Sequence, residues 1–314
     1  MEENLSVNEF RLLKDCHLCP RKCHVNRMEG KSGYCGAGAG YEIASISIHK
    51  GEEPVISGKN GICNVFFSHC NLQCIFCQNY QISHKGCINI PPDRKLDDVV
   101  SSIKVILNGG VESLGFVSPT HMIPQMKAII NALYEDGYFP YVVYNTNAYD
   151  SVEMLRLLED WVDVYLPDFK YAGRELALKY SDAGNYPEFA LPAIKEMYRQ
   201  KGNVLHLNEK GIATRGLIVR HLVLPGAVEN SKQVLRCLAD EVSTGISLSL
   251  MSQYYPISRV LNIKPINRKL NSAEYKQVIQ EMEKLGFLKG WIQDHDSAEL
   301  YIPDFESESP FFIP

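Results

Sequence analysis

Apolar residues along this chain follow two alternating patterns from about residue 60 onward. Short apolar runs, typical of buried strands, are followed by longer stretches in which an apolar residue returns every three or four positions, typical of amphipathic helices. The pattern occurs six times in the order strand and then helix. This order predicts a parallel sheet with right-handed crossovers, and therefore an α/β fold that is a partial (β/α)6 TIM-like barrel.

The individual strands and helices can be assigned from these runs. The predicted strands span residues 62–67, 114–117, 141–144, 162–166, 217–223 and 246–251. The predicted helices cover residues 96–106, 123–133, a segment after 150, 172–201, 231–239 and 271–285. Asp150 is expected to cap its helix with Glu153 completing a capping box, and Asn271 is expected to cap the last helix.

Three segments of the chain differ in composition. Residues 1–58 are rich in cysteine and glycine and weakly periodic, so we expect a small N-terminal segment with a metal site. Residues 59–256 contain the six repeats and are expected to form the barrel. Residues 257–314 follow the last predicted strand as a C-terminal extension, which we expect to close the barrel.

Unusual polar residues follow the predicted strands. The first strand runs into the stretch 69–77, and the later ones run into residues 118–121, 145–147, 168–170, 220–221 and 252–254. In parallel barrels the active site lies at the C-terminal ends of the strands. We therefore expect these residues to share one site.

Charge and composition exclude several classes of partner. The net charge is −5, with 45% hydrophobic and 22% charged residues, which are ordinary values for a globular protein. Basic residues do not form a run, which argues against nucleic acid or an anionic membrane as the main partner. The N-terminus is polar and no apolar stretch approaches the roughly 20 residues of a membrane span, so we expect a cytoplasmic protein without a signal peptide.

The chain has ten cysteines, and a reducing compartment favours metal or redox roles for them over disulfides. Cys70, Cys74 and Cys77 form a C-x3-C-x2-C motif directly after the first barrel strand. Three close thiolates can bind three irons of a four-iron cluster and leave the fourth iron open to a small molecule. The alternative is a zinc site completed by His69 or His84, but structural zinc ligands usually come as two separated pairs.

This motif resembles that of the radical S-adenosylmethionine (SAM) superfamily, and the chain is most similar to its pyruvate formate-lyase activating enzyme-related group. The segments that carry the resemblance are CHLCPRKCHVNR, GEEPVISG, SHCNLQCIFCQNYQIS, VYNTNAYDS, YLPDFKYA, RGLIVRHLVLPG and SLMSQYYP. The resemblance implies that Cys70, Cys74 and Cys77 hold a 4Fe-4S cluster whose open iron binds SAM. It also implies reductive cleavage of SAM to a 5′-deoxyadenosyl radical that abstracts hydrogen from a substrate.

The resemblance further implies cofactor-binding roles at the later strand ends. Asn145 stands where activating enzymes have the Asp of an Asp-Thr pair, and with Asp168 it would help to hold the SAM carboxylate. Arg220 matches an arginine that lies near SAM in that family. The alternative is that Arg220 and Asp168 form an ion pair with each other or with Lys170. Phe76 could pack beside the SAM adenine or belong to the core.

One departure from the family concerns the SAM amino group. A GGE motif should follow the second strand, but Ser-Pro-Thr stands there at 118–120. We therefore expect Ser118, Thr120 or a backbone carbonyl to meet the amino group. Gln253 and His221 could face the substrate, or their polar atoms could be satisfied inside the barrel.

A second group of cysteines precedes the barrel, at Cys16, Cys19, Cys23 and Cys35. Their C-x2-C-x3-C-x11-C spacing suits a closed tetrahedral thiolate site, and nearby glycines would let the loop fold back around a metal. Zinc would make this site structural, whereas a second iron–sulfur cluster would make it an electron relay. Four free thiols are the third alternative.

Three functions remain open from the sequence. The first is activation of a glycyl radical enzyme, and the second is radical modification of a small molecule or peptide without a protein partner. The third is a zinc protein with no activity. The C-terminal extension favours the second function, because it could close the mouth of the barrel. Either enzyme would need a low-potential electron donor such as flavodoxin or ferredoxin.

Overall fold

A single sheet of nine strands organises the described part of the chain. The computed structural model describes residues 10–85, 93–295, 302–307 and 310–311. The strands are β1 Ile43–His49, β2 Ile62–Phe67, β3 Ser113–Val117, β4 Tyr141–Thr146, β5 Val164–Pro167, β6 His206–Leu207, β7 Ala213–Leu222, β8 Ser247–Met251 and β9 Gly290–Ile292. Their order in the sheet is β1-β2-β3-β4-β5-β7-β8-β9, and β6 pairs with β7.

The strands from β2 to β9 form a parallel array, apart from the short β6, which is antiparallel to β7. This array contains all six predicted strands and adds β9 to them. β1 pairs antiparallel with β2 and ends the sheet on the other side. Within the described residues β1 and β9 do not pair with each other, so the barrel is partial, as the sequence predicted.

Most of the helices lie where the apolar periodicity predicts them. Those described are α1 Pro54–Ser57, α2 Tyr80–Ser83, α3 Leu96–Asn108, α4 Ile123–Glu135, α5 Val152–Arg156, α6 Arg174–Ser181, α7 Tyr186–Lys201, α8 Val228–Glu241 and α9 Ser272–Lys284. The segment predicted as helical over 172–201 is divided into α6 and α7. No helix among the described residues is long and apolar enough to cross a membrane.

The two predicted helix caps have opposite outcomes. Asn271 caps α9 in a full capping box with Glu274, as predicted. The prediction for Asp150 was wrong, because Ser151 occupies the N-cap position of α5 and makes no side-chain capping bond. Asp150 is buried instead, and its carboxylate accepts hydrogen bonds from three hydroxyl groups, those of Thr120, Tyr144 and Thr146. Without Asp150 these three buried hydroxyl groups would lose a charged acceptor. Their hydrogen bonds to Asp150 therefore stabilise the fold more than a helix cap would.

The floor of the barrel is closed by the short helix α1. Its residue Ile56 packs in a small apolar cluster with Ile62, Val164 and Ile218, which come from three different strands. Two glutamates precede this helix in the segment that links it to β1. α1 thus fixes where that acidic segment enters the barrel.

Aromatic residues of the C-terminal extension pack along the β1–β2 edge. The Phe311 ring lies 4.3 Å from that of His49 and 5.2 Å from that of Phe66. Phe305 contacts Phe66 at 5.2 Å, and the main-chain N–H of Phe305 donates to Gln81. The end of the chain therefore covers one side of the barrel.

Candidate active site

The cavity of the barrel lies where the parallel strands end. It measures about 430 Å³. Its walls include residues at or just beyond the ends of five adjacent strands, namely Cys70, Ser118, Asn145, Asp168 and Arg220. Known small-molecule sites measure roughly 300–1,000 Å³, so this cavity has the size of a cofactor or metabolite site.

The predicted cluster ligands share one loop of this cavity. Cys70, Cys74 and Cys77 lie between β2 and α2, and all three line the cavity wall. The loop turns tightly because His69 and Gln73 adopt left-handed conformations with φ of 71° and 62°, which are costly for residues other than glycine. The Gln73 side chain holds this turn by donating to the Cys70 carbonyl at 2.9 Å.

The surroundings of the three sulfurs suit thiolate ligands. Each sulfur accepts a hydrogen bond from a neighbouring side chain: Cys70 from Asn147 at 3.5 Å, Cys74 from Ser181 at 3.0 Å and Cys77 from Ser83 at 3.4 Å. Burial raises the pKa of Cys74 to about 12, while the Lys170 ammonium acts in the opposite direction. A buried thiol of this kind ionises only when a cation joins it, which iron would supply. The donor set therefore fits the predicted iron–sulfur cluster.

In the described part of the chain, the cysteine side chains are not arranged as a complete metal site. Within the described residues, no three histidine, cysteine or acidic side chains stand close enough to hold an ion as they are. This applies equally to the motif cysteines and to the N-terminal cysteines, so it does not separate the two groups. Spacing along the chain is the feature that distinguishes the motif cysteines from the N-terminal group.

A buried ion network also lines the cavity. Arg220 donates from Nε to Asp168 at 2.8 Å, from Nη1 to Glu52 at 2.8 Å and from Nη2 to Asn145 at 2.6 Å. Lys170 donates to the second oxygen of Asp168 at 2.7 Å. Of the two interpretations that the sequence left open for Arg220 and Asp168, the structure contains the ion pair.

The network fixes the ionisation of its members. Burial alone would lower the pKa of Arg220, but Asp168, Glu52 and Glu53 outweigh it and raise the pKa. Burial alone would raise the pKa of Asp168, but Arg220 and Lys170 outweigh it and lower the pKa. This part of the cavity wall thus keeps fixed charges of both signs.

The radical SAM superfamily model matches residues 64–236, which include the cysteine loop and most of the parallel strands. The chain belongs to the radical SAM superfamily. This membership implies a 4Fe-4S cluster and SAM as cofactors, and enzymes of the superfamily generally need a reductant.

The individual relatives and solved structures give no finer assignment than the superfamily does. The chain is 28% identical over 281 residues to the uncharacterized protein MJ0674 of Methanocaldococcus jannaschii, across 87% of this chain and 75% of that protein. Its fold is similar to that of HydG, a maturase of the FeFe hydrogenase, with a TM-score of 0.50 and 14% identity. SuiB of Streptococcus suis, solved with the precursor peptide SuiA, has a TM-score of 0.47 and 13% identity. The chain covers 57% of HydG and 47% of SuiB, about half of their lengths, and these likenesses concern the fold alone.

The positions predicted to receive the SAM amino group are separated in this radical SAM chain. Ser118 lines the cavity, and its main-chain N–H donates to the Asn145 carbonyl at 2.7 Å. Thr120 is fully buried outside the cavity wall, and its hydroxyl donates to Asp150 at 2.7 Å. The geometry gives no support to a contact between Thr120 and SAM, because its hydroxyl is already engaged by Asp150.

The residues predicted to face the substrate or the SAM adenine also divide. Gln253 and Phe76 line the cavity, and Phe76 packs edge-on against Tyr180 and Tyr254 as well. His221 is fully buried away from the cavity wall. Its two ring nitrogens contact the Phe169 carbonyl at 2.7 Å and the Ser231 hydroxyl at 2.8 Å. His221 is therefore satisfied inside the barrel.

The N-terminal cysteine loop packs directly against the SAM motif. Arg21, which lies between Cys19 and Cys23, donates to the Asn71 carbonyl at 3.0 Å and to the Asp182 carbonyl at 2.6 Å. Its guanidinium also lies 3.6 Å from the centre of the Tyr34 ring. The two cysteine groups are thus joined by one arginine and share a boundary.

Sequence reasoning missed the acidic residues of the cavity. Glu52 and Glu53 line it, although both precede the barrel in the chain. The segment GEEPVISG contributed only to the family resemblance, and two adjacent acids before a proline gave no periodic signal. Contact between Glu52 and Arg220 spans 168 positions, which no local pattern reveals.

Proposed function

We propose that this chain binds SAM in the barrel cavity, cleaves it reductively to a 5′-deoxyadenosyl radical, and uses the radical to abstract hydrogen from a small molecule or short peptide. When bound, the 4Fe-4S cluster supplies the electron that breaks a carbon–sulfur bond of SAM. Cys70, Cys74 and Cys77 would hold the cluster. Ser118, Asn145, Asp168 and Arg220 would surround SAM, and a flavodoxin or ferredoxin would donate the electron.

The chain's own residues would position SAM and exclude water. Arg220 is held rigidly by Asp168 and Glu52, so the wall near SAM is organised before SAM binds. A preorganised, shielded wall protects a reactive radical from side reactions. All three donating nitrogens of Arg220 already have protein acceptors, so a SAM carboxylate would share or replace one of them.

The observation that favours a small substrate is the size of the cavity together with its C-terminal lining. Trp291, Gln293 and Phe311 of the C-terminal extension all line it. A cavity of about 430 Å³ with these walls suits a cofactor together with a small group. Activation of a glycyl radical enzyme, the function that the family resemblance implies, would require a loop of a folded partner to enter this limited volume.

A deuterium-transfer assay separates the two functions. The reconstituted enzyme is mixed anaerobically with SAM, dithionite and extract from cells grown in heavy water, divided into a low-mass and a protein fraction. We expect deuterium in 5′-deoxyadenosine only with the low-mass fraction, since the abstracted atom would come from a small substrate. Cys74→Ala is the control and should give no product. Deuterium transfer only from the protein fraction would contradict the proposal and favour glycyl radical activation.

A further inference from the structure

An acidic group of the cavity has no partner for one of its oxygens. Glu53 is only 8% exposed and lines the cavity. Its Oε2 is buried and makes no hydrogen bond to the rest of the described chain. Leaving a buried carboxylate oxygen unpaired costs free energy, so it calls for a ligand or another explanation.

Glu53 reaches the cavity from a different part of the chain than the cysteines do. It immediately precedes α1, which packs into the apolar floor through Ile56. β1, which leads to Glu53, ends at His49 opposite Ile62, the first residue of β2. The cysteine loop, by contrast, follows the last residue of β2. Glu53 thus enters the cavity from the floor side, and Arg220 is the charged side chain of opposite sign that acts on it there.

The basic side chain near Glu53 is already hydrogen-bonded to other acceptors. Arg220 is the nearby base, and its nitrogens donate to Asp168, Glu52 and Asn145. Burial raises the pKa of Glu53, Arg220 acts against this rise, Glu52 adds to it, and a hydrogen bond from the Ser249 hydroxyl opposes it. An additional positive charge at this place would therefore be favourable.

A second buried polar atom of the cavity wall also lacks a partner. His49 lines the cavity, and its Nδ1 is buried without a hydrogen-bond partner. Burial lowers the pKa of His49, which keeps the ring neutral and one ring nitrogen able to accept. A carboxylate oxygen that lacks a donor, with a neutral imidazole that offers one accepting nitrogen, fits a ligand that carries several N–H groups.

We propose that Glu53 binds an alkylammonium group of the substrate in the barrel cavity, which His49 also lines. This inference rests on the proposed function and names its substrate class, a small molecule or peptide with a primary amine. The ammonium would donate to Glu53 Oε2, and the alkyl chain would extend toward the cysteine end, where hydrogen abstraction takes place. SAM also has an amino group, so the test must separate the two sources of ammonium.

The test measures binding of a simple probe to the full-length holoenzyme. Calorimetric titration compares n-butylammonium with n-butanol, a neutral molecule of similar size. We expect wild type to prefer n-butylammonium by about tenfold or more, since charge-assisted hydrogen bonds are the stronger ones. Glu53→Gln should remove this preference, and Glu53→Asp, which keeps the carboxylate, should retain part of it. Glu209→Gln removes an exposed acid as the charge control and should leave probe binding unchanged.

Three results would overturn the inference. The first is an unchanged preference for n-butylammonium in a folded Glu53→Gln variant, and the second is its absence in the wild type. The third is competition between SAM and the probe, which would assign Glu53 to the SAM amino group. Probe binding that is unaffected by saturating SAM supports the substrate assignment. Failure of SAM cleavage would instead refute the proposed function, and probe binding does not depend on it.

Discussion

At the scale of single residues, two buried charged side chains each bond to several partners at once. Asp150 was expected to cap a helix but accepts hydrogen bonds from three buried hydroxyl groups. Arg220 was expected to lie near SAM or to form an ion pair, and it donates hydrogen bonds to three other segments of the chain. In both cases the residue type was informative, since a buried acid or arginine needs partners. The identity of the partners depended on the folded chain.

Arg220→Lys tests the ion network. Lysine keeps the positive charge but cannot reproduce the planar fork that reaches Asp168, Glu52 and Asn145 together. We expect the free energy of unfolding to fall by roughly 1–3 kcal/mol and SAM affinity to fall about tenfold, with iron content unchanged. Urea unfolding and equilibrium SAM binding measure these effects. Arg215→Lys, on the same strand, is the matched control, and unchanged SAM affinity in Arg220→Lys would remove Arg220 from the SAM site.

At the scale of secondary-structure elements, periodicity was a good guide to the barrel. The six parallel strands could be predicted because strands covered on both faces are largely apolar, and their helices carry a single apolar stripe. β1, β9 and α1 were not predicted. They are short or lie at the edges of the sheet, where burial follows from distant contacts rather than from a local pattern.

The last long helix provides a test by pH. Glu274 completes the capping box of α9 and pairs with Arg268, which lowers its pKa from 4.5 to about 2. A lowered pKa stabilises the fold above the unfolded pKa, and this stability is lost as pH falls through the folded pKa. Glu274→Gln should therefore cost about 1 kcal/mol at pH 7, and its difference from wild type in urea unfolding should shrink between pH 5 and pH 2. A difference that is constant with pH would contradict this account.

The N-terminal cysteine group is a further local feature, and its role can be tested. Cys19 is buried, and burial together with three neighbouring thiols raises its pKa to about 12. Main-chain N–H groups donate to the sulfurs of Cys19, Cys23 and Cys35, as the Leu72 N–H does to Cys70 in the SAM motif. We therefore retain the prediction that a metal is bound at these cysteines, since a cation would stabilise the thiolates.

Metal analysis of a variant with Cys70, Cys74 and Cys77 all changed to alanine decides this prediction. Zinc alone would identify a structural site, and residual iron with sulfide would identify a second cluster. Cys237→Ala removes a cysteine far along the chain and should leave the metal content as in wild type. A folded triple variant without metal would refute the N-terminal site.

At the scale of the whole molecule, segments before and after the six predicted barrel repeats contribute to the wall of the cavity. Glu52 and Glu53 enter from the N-terminal side, and Trp291 and Phe311 enter from the C-terminal side. The sequence predicted a closing role for the C-terminal extension but offered no reason to place N-terminal acids inside the barrel. Such long-range placement depends on tertiary packing, whereas the cysteine loop could be predicted because its ligands lie within one short motif.

The central claim is that Cys70, Cys74 and Cys77 hold the cluster at which SAM is cleaved. The most direct test is 5′-deoxyadenosine formation from SAM and dithionite by anaerobically reconstituted protein, compared between wild type and Cys74→Ala. We expect product and about four irons at this site in the wild type. The variant should make no product, because its cluster would lack one of three ligands. Continued formation of 5′-deoxyadenosine by Cys74→Ala would contradict the account.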